Sequence, residues 1–425
     1  MSLIQPQGAL PVFPMIHWTE AGAPCSARWR SERGTPPPKR VVLADDTLTA
    51  DAAYRLACEG TALLWRGDFQ NARQLLQALG RRIDQSAKAT QKSRAAKTGK
   101  NAMETIAAHA ISTGAAAPTA QAFHLHRQAQ AQRARVLGMV LISFDADYGM
   151  ALRRSPDARL ACAQAWGAPD GSGASVASLR ELMGLISAYE WRKKGVEVPS
   201  LGAAPHNRIH PHYGVFSPVR GEYVALVATA PLPPALAAGG NTAFDIGTGT
   251  GVLSVVLALR GVAHVVATDM EPRALACALD NLTRLGVGGA PDSVVQLVRA
   301  DLFPPGRAEL IVCNPPWLPA RPGSPLEHAV YDEDSAMLLG FLAGVRHHLS
   351  PGGEAWLIMS DLAEHLGLRS RAQLLDAIGA AGLTVLGRLD TAPVHGKASD
   401  TTDPLHAARR LEVTSLWRVA VAVSE

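Results

Sequence analysis

Between residues 242 and 421 the chain is written as short apolar runs separated by stretches of helical periodicity, the runs falling at 242–246, 264–268, 294–298, 309–313, 354–359, 382–387 and 413–421. Runs of this length with few polar interruptions suit strands covered on both faces. The helical stretches between them supply the crossovers that a parallel sheet needs. The pattern predicts an α/β domain built on a seven-stranded, doubly wound sheet, with its start near residue 206 and its end at the C-terminus.

Upstream the text is different. Residues 1–45 carry Pro-rich and Gly-rich segments such as Gly34-Thr35-Pro36-Pro37-Pro38 and no sustained apolar periodicity, which predicts an irregular lead. Residues 46–205 read as a mostly helical domain. Ala53, Leu56, Gly60, Leu63 and Leu64 share one helical face, and Asp68 caps a second helix that turns Phe69, Ala72, Leu75, Leu76 and Leu79 inward. That is the pattern of a helical hairpin. Further helices are predicted over 121–141 and 178–189, and the whole region is assigned to substrate recognition.

A cationic stretch over 81–100 sets Arg81, Arg82, Lys88, Lys92, Arg94, Lys97 and Lys100 against Asp84 alone. It reads either as an arm that releases counterions from nucleic acid or as a solvated linker, since no aromatic residues are interleaved. With 425 residues, 47% of them hydrophobic, the chain is long enough for two cores. No run of about 18 apolar residues marks a membrane span, and no basic segment followed by an apolar one marks a signal peptide, so a cytoplasmic location is the expectation. The five cysteines stand singly, without a CxxC pair, which points away from disulfides and zinc.

The chemistry is concentrated after the first predicted strand of the C-terminal domain. Asp245 ends that strand, and Gly247, Gly249 and Gly251 then permit a tight turn and close approach to a ligand before a helix begins near Val252. The dinucleotide fingerprint needs a sixth-position glycine where Val252 stands, so the GxGxG spacing favours S-adenosylmethionine (SAM) over a nicotinamide dinucleotide. Thr248 lies within this loop. Asp269 ends the second strand, about 20 residues on, where an acid accepts ribose hydroxyls. After the third strand, Asp301 offers an acceptor for the adenine amino group, with Leu302 and its apolar neighbour Phe303 placed to sandwich the ring.

Asn314-Pro315-Pro316-Trp317 follows the apolar run Leu310-Ile311-Val312-Cys313, so it sits at the carboxyl end of the fourth strand beside the ligand crevice. An amide or aromatic amine is a poor nucleophile because its lone pair is delocalised. Accepting its N–H bonds with the Asn314 side-chain oxygen and the Pro315 carbonyl orients that lone pair and favours charge developing on nitrogen. Pro315 and Pro316 stiffen the backbone, and Trp317 is placed to stack on a flat target. No metal is called for: His206, His210 and His212 lie in loop text with no acid or cysteine to complete a ligand set. Residues 391–406, polar and between the last two strands, read as a gating loop or an exposed excursion.

Residues 212–422 resemble the small-domain class I (Rossmann-like) methyltransferases, a group that includes the HemK-like glutamine N5-methyltransferases of release factors and ribosomal-RNA amine methyltransferases. Asp301-Leu302-Phe303 and Asn314-Pro315-Pro316 match the HemK-like pattern, although tyrosine is usual where Trp317 stands. Gly214-Val215-Phe216-Ser217-Pro218-Val219-Arg220 resembles the segment that precedes the SAM loop, which implies substrate or methionine contacts for Phe216 and Arg220. The resemblance implies SAM as cofactor, with Asn314 beside it, and N-methylation of a planar amino group. The partner is then a release-factor-like protein through glutamine N5, or ribosomal RNA or other nucleic acid through adenine N6 or guanine N2. A nucleic-acid or ribosome-binding protein that holds SAM without turnover is the reading from another class.

Overall fold

A computed structural model describes residues 13–102, 120–219, 221–237, 240–323, 325–393 and 403–422. The chain divides into two units, residues 1–112 with 129–187, and residues 113–128 with 188–425.

The N-terminal elements run β1 (Met15–Glu20), β2 (Ala23–Trp29), β3 (Arg40–Ala44), α1 (Ala50–Cys58), β4 (Thr61–Trp65), α2 (Phe69–Ala102), α3 (Ala120–Leu137), β5 (Val140–Phe144), α4 (Arg159–Trp166), β6 (Ser175–Ser178) and α5 (Leu179–Lys194). The strands form one mixed sheet in the order β1-β2-β6-β5-β4-β3. Of the expected irregular lead over 1–45, residues 1–12 lie outside the described residues and the rest is corrected by three strands. Its Gly and Pro residues are turn punctuation: Ala21 and Gly22, both at positive φ, make the two-residue loop that joins β1 to β2. The expected helical hairpin is corrected too. Leu63 and Leu64 belong to β4, all five residues of which are buried, and a short run covered on both faces is indistinguishable by periodicity from part of a helix. Helices do fill much of 46–205, but they are laid on a sheet. Asp68 caps α2 as expected, its Oδ1 accepting from the Gln70 N–H at 2.8 Å.

The second unit continues with the two-residue strands β7 (Val196–Glu197) and β8 (Arg208–Ile209), then α6 (Glu222–Thr229), α7 (Pro234–Ala237), β9 (Thr242–Ile246), α8 (Val252–Leu259), β10 (His264–Asp269), α9 (Pro272–Arg284), β11 (Val295–Arg299) and β12 (Ala308–Cys313). After these come α10 (Ala336–His348), β13 (Leu349–Ser360), α11 (Leu362–His365), α12 (Arg371–Ala380), β14 (Leu383–Thr391), α13 (His406–Leu411) and β15 (Thr414–Val421). All seven expected strands are present. They form one sheet in the order β11-β10-β9-β12-β13-β15-β14, in which only β15 runs antiparallel to its neighbours. This is the class I methyltransferase arrangement of the doubly wound fold.

Alternation along each strand fills both faces. Ala243, Leu310, Val312 and Trp356 pack with Val252, Val256 and Leu282 on one side. Phe244, Ile311, Cys313 and Leu357 pack with Phe341, Leu342 and Val345 on the other. Between β13 and β15, Arg418 forms a bidentate pair with the buried Glu354 at 2.6 and 2.7 Å, and the Trp356 indole N–H donates to the same carboxylate. The chain winds outward from β9 through β10 to β11 and then returns to β12 on the other side of β9. That reversal opens a crevice at the carboxyl ends of β9, β10 and β12. Among the described residues no helix is long and apolar enough to cross a membrane.

Candidate active site

At the end of β9 the Asp245 carboxylate is buried, and its Oδ2 accepts from the Thr248 hydroxyl at 2.7 Å and the Ser254 hydroxyl at 2.6 Å. The acid therefore ties the loop to the first turn of α8. Burial raises the Asp245 pKa above the ordinary aspartate range, opposed by the two hydroxyl bonds. The Thr248 N–H donates to the Thr268 carbonyl at 2.8 Å, which fixes the loop to β10 as well. Gly247, Gly249 and Gly251 have φ of 71°, 55° and 81°, the left-handed region that residues with a Cβ rarely adopt. A Cβ on Gly249 would meet nothing within 4 Å, whereas one on Gly251 would touch Ala278 of α9 at 3.4 Å. Gly249 faces open space and Gly251 faces the packing.

Asp269 closes the other side of the loop. Its Oδ2 accepts from the Gly249 N–H at 3.1 Å and its Oδ1 from the Glu271 N–H at 3.0 Å. Desolvation raises its pKa, against those backbone bonds. Each carboxylate oxygen keeps a further lone pair for a ligand. Beyond β11, Asp301 is exposed and Leu302 takes a φ of 68°, an uncommon conformation for a leucine, with its carbonyl held by the Thr268 hydroxyl at 2.5 Å. Phe303 lies flat against His348 at 4.6 Å and Phe341 at 5.9 Å between centroids. That ring is committed to α10, and the Leu302 side chain also packs against the cluster that α10 covers, so both apolar neighbours expected to sandwich a ligand ring have protein partners.

Cys313 of β12 pairs in register with Ile246 of β9, so Asn314 and Gly247 leave the sheet side by side. The Trp317 indole N–H donates to Asn314 Oδ1 at 2.9 Å. The Trp317 ring is half-buried and packs against both core clusters, and its carbonyl accepts from Arg369 at 3.3 Å. Pro315 and Pro316 lie inside the loop that these contacts hold. One residue that the sequence did not single out completes the support: Asp332 is buried and accepts from the N–H groups of Met337 and Leu338 at 3.0 and 3.1 Å, capping α10. Immediately after it, Asp334 and Ser335 both take positive φ, a strained pair at the start of that helix.

The remaining expected residues are dispersed. Phe216 is exposed, and Arg220 lies outside the described residues. His210 Nδ1 lies 2.6 Å from the Arg192 carbonyl and His212 Nε2 lies 2.7 Å from Asp280, so each histidine has a protein partner. Asp361, a residue the expectations did not include, accepts from the Val413 N–H at 2.7 Å and supports the β13 to β15 end of the sheet. Of the loop over 391–406, residues 394–402 lie outside the described residues, while Asp403 accepts from the Leu405 N–H at 2.9 Å at the start of α13. The basic stretch 81–100 runs along α2, where Arg82 pairs with Asp51 at 2.8 Å.

Residues 206–379 match the model of the family described as methyltransferase small domain. A release factor glutamine methyltransferase of Cereibacter sphaeroides is 36% identical over 163 residues, which cover 35% of this chain and 56% of that protein. A tRNA1(Val) (adenine(37)-N6)-methyltransferase of Shewanella sp. strain MR-4 is 32% identical over 152 residues, covering 33% of this chain and 60% of the relative. The chain thus spans a little over half the length of these curated relatives. Among solved structures, a methyltransferase from Pyrococcus furiosus aligns over 56% of this chain and 98% of its own at 17% identity and a TM-score of 0.37. By family model and relatives, residues 206–379 are similar to the methyltransferase small domain.

Proposed function

We propose that the chain is a SAM-dependent N-methyltransferase whose acceptor is a planar amino group, with a protein glutamine side chain as the first reading. The observation that supports it most is the register of β9 with β12, by which the chain leaves the sheet at Asn314 next to Gly247. The donor set suits SAM: the free lone pairs of Asp269 suit ribose hydroxyls, the exposed Asp301 suits the adenine amino group, and the open space at Gly249 leaves room for a nucleoside. When bound, SAM supplies an electrophilic methyl carbon on a sulfonium, and transfer leaves S-adenosylhomocysteine.

The protein's part is to orient the nucleophile. Asn314 Oδ1 spends one lone pair on the Trp317 indole and keeps the other for an acceptor N–H, and the Pro315 carbonyl takes the second. Held by both, an acceptor nitrogen would present its lone pair to the methyl group that bound SAM supplies, and its surplus proton would pass to water once the methyl is transferred. The fixed dipoles of the amide and the carbonyl favour the positive charge in transit, so no strong base is needed.

The release factor glutamine methyltransferase at 36% identity supports the glutamine reading. A nucleobase exocyclic amine is the second reading, favoured by the tRNA adenine-N6 relative and by the basic residues along α2. The test incubates the protein with methyl-labelled SAM and an extract from cells lacking its gene, then splits the product between protease and nuclease. Label released by protease and resistant to nuclease is expected; label released by nuclease moves the substrate to nucleic acid.

A further inference from the structure

The N-terminal unit contains a group of buried donors with no role in the methyl-transfer reading. Arg30 directly follows β2 and is only 6% exposed. Its guanidinium carbon lies 4.9 Å from the Tyr148 ring centroid and 5.2 Å from that of Trp166. Among the described residues it forms no ion pair. The neighbouring Arg28 holds Asp170 at 2.9 Å, so two guanidinium groups share one carboxylate and Arg28 takes it. Cys162, also near Arg30, does not supply the missing negative charge, because burial pushes its thiol up to about 12.

Three donors there are buried without a hydrogen-bond partner among the described residues: Arg30 Nε, the Trp166 indole N–H and the Ser175 hydroxyl. Ser175 and Arg30 share one side of the sheet, and Trp166, the last residue of α4, packs on that side against Phe144. Arg28 of β2 pairs in parallel register with Ser175 of β6, and Arg30, two residues on, projects to the same side. Phe144 pairs with Ser175 across β5 and β6, and its ring meets Trp166 edge-on at 5.3 Å. Trp166 in turn meets Tyr148 at 5.6 Å.

Guanidinium and indole nitrogens only donate, and the serine hydroxyl can donate with them. A bridging water would satisfy hydrogen bonds but would leave the buried cation without a counter-charge. An oxyanion meets both needs, and the planar edge of an arginine matches two oxygens of a carboxylate or phosphate. We propose that Arg30, Trp166 and Ser175 form a binding site for a compact oxyanion, a carboxylate or phosphate group borne by a substrate or effector. The aromatic walls limit the size of what enters and strengthen the charge-assisted bonds by excluding water.

The test is isothermal titration of the full chain with inorganic phosphate and, separately, acetate, at constant ionic strength balanced with chloride. Saturable binding of one probe is expected, and the arm that binds identifies the oxyanion. Arg30→Met should weaken it at least roughly 100-fold, and Ser175→Ala and Trp166→Phe by roughly fivefold to tenfold each. Circular dichroism checks that each variant is folded; if Arg30→Met does not fold, the two milder variants decide the matter. Absence of saturable binding by the wild type would mean that only water bridges these donors and would overturn the site. Undiminished binding in folded Arg30→Met, or in both milder variants, would place the anion elsewhere and overturn it equally.

Discussion

Trp317 donates its indole N–H to Asn314 Oδ1 at 2.9 Å, so the aromatic residue of the Asn-Pro-Pro-Trp segment holds the amide in place. The ring itself is packed against both core clusters, which leaves little freedom to the amide it grips. Trp317→Phe keeps an aromatic ring and removes the donor. It should lower kcat/KM about fivefold to tenfold, the worth of one neutral hydrogen bond, without changing SAM affinity. Asn314→Ala should lower kcat by a factor on the order of 10²–10³ while SAM still binds. Steady-state kinetics paired with calorimetric SAM titration separates the two effects. Equal losses of SAM affinity and turnover in both variants would put Asn314 and Trp317 in the cofactor site and not beside the acceptor nitrogen.

Asp269 shapes the glycine loop through the Gly249 N–H, and in the proposed reading it offers lone pairs to a ribose. Asp269→Ala should weaken SAM binding by about 100-fold, the loss of two charge-assisted acceptors. Asp269→Asn, which keeps one acceptor oxygen, should fall between the two. Calorimetry reads this directly, and SAM affinity unaltered in the alanine variant would remove the carboxylate from the ribose site.

Gly249 separates the stability of the loop from its function. A Cβ there meets nothing in the protein but must be held at a φ of 55°. Gly249→Ala should therefore cost only about 1–2 kcal/mol of stability and yet abolish measurable SAM binding, because the new methyl projects into the crevice. Thermal unfolding and titration on the same sample check it. Full SAM affinity in the alanine variant would contradict the placement of the nucleoside over this residue.

Burial raises the pKa of both Asp245 and Asp269. A carboxyl whose folded value lies above its unfolded one binds more protons in the native state across that interval. Its contribution is fully present below the unfolded value and is lost as pH rises through the folded one. Stability should thus fall as pH increases from the ordinary aspartate range upward through the raised values. Asp245→Asn leaves an acceptor oxygen for Thr248 and Ser254 and should flatten Asp245's share of that slope. Denaturant melts of wild type and variant across the acidic range are the measurement, and parallel pH profiles would show that Asp245 does not titrate in this interval.

How far the sequence discloses this molecule depends on the element. The seven C-terminal strands are visible because two-sided burial writes them as uninterrupted apolar runs, and the glycine loop is visible because only glycine tolerates three left-handed positions in five residues. The N-terminal sheet is hidden: β1 and β2 carry many half-exposed and exposed residues, and β4 is short enough to pass for a helix face. Asp332 escapes notice because a helix cap is defined by the turn that precedes α10, where Asp334 and Ser335 bend the chain in a way no periodicity announces. The bond from Trp317 to Asn314 escapes for the same reason, as it depends on the path of an irregular loop. Arg30 is hidden most completely, since arginine in a sequence reads as surface.

The central claim is that the loop after β9 and the segment after β12 act together to pass a methyl group from SAM to a planar nitrogen. Tandem mass spectrometry of the product formed with isotope-labelled SAM and gene-deleted extract tests it most directly, because it finds the methylated atom. Label on an amide or exocyclic amine nitrogen, absent when the Asn314→Ala protein is used, is the predicted result. Label on carbon, oxygen or sulfur, or equal transfer by the Asn314→Ala protein, would contradict it.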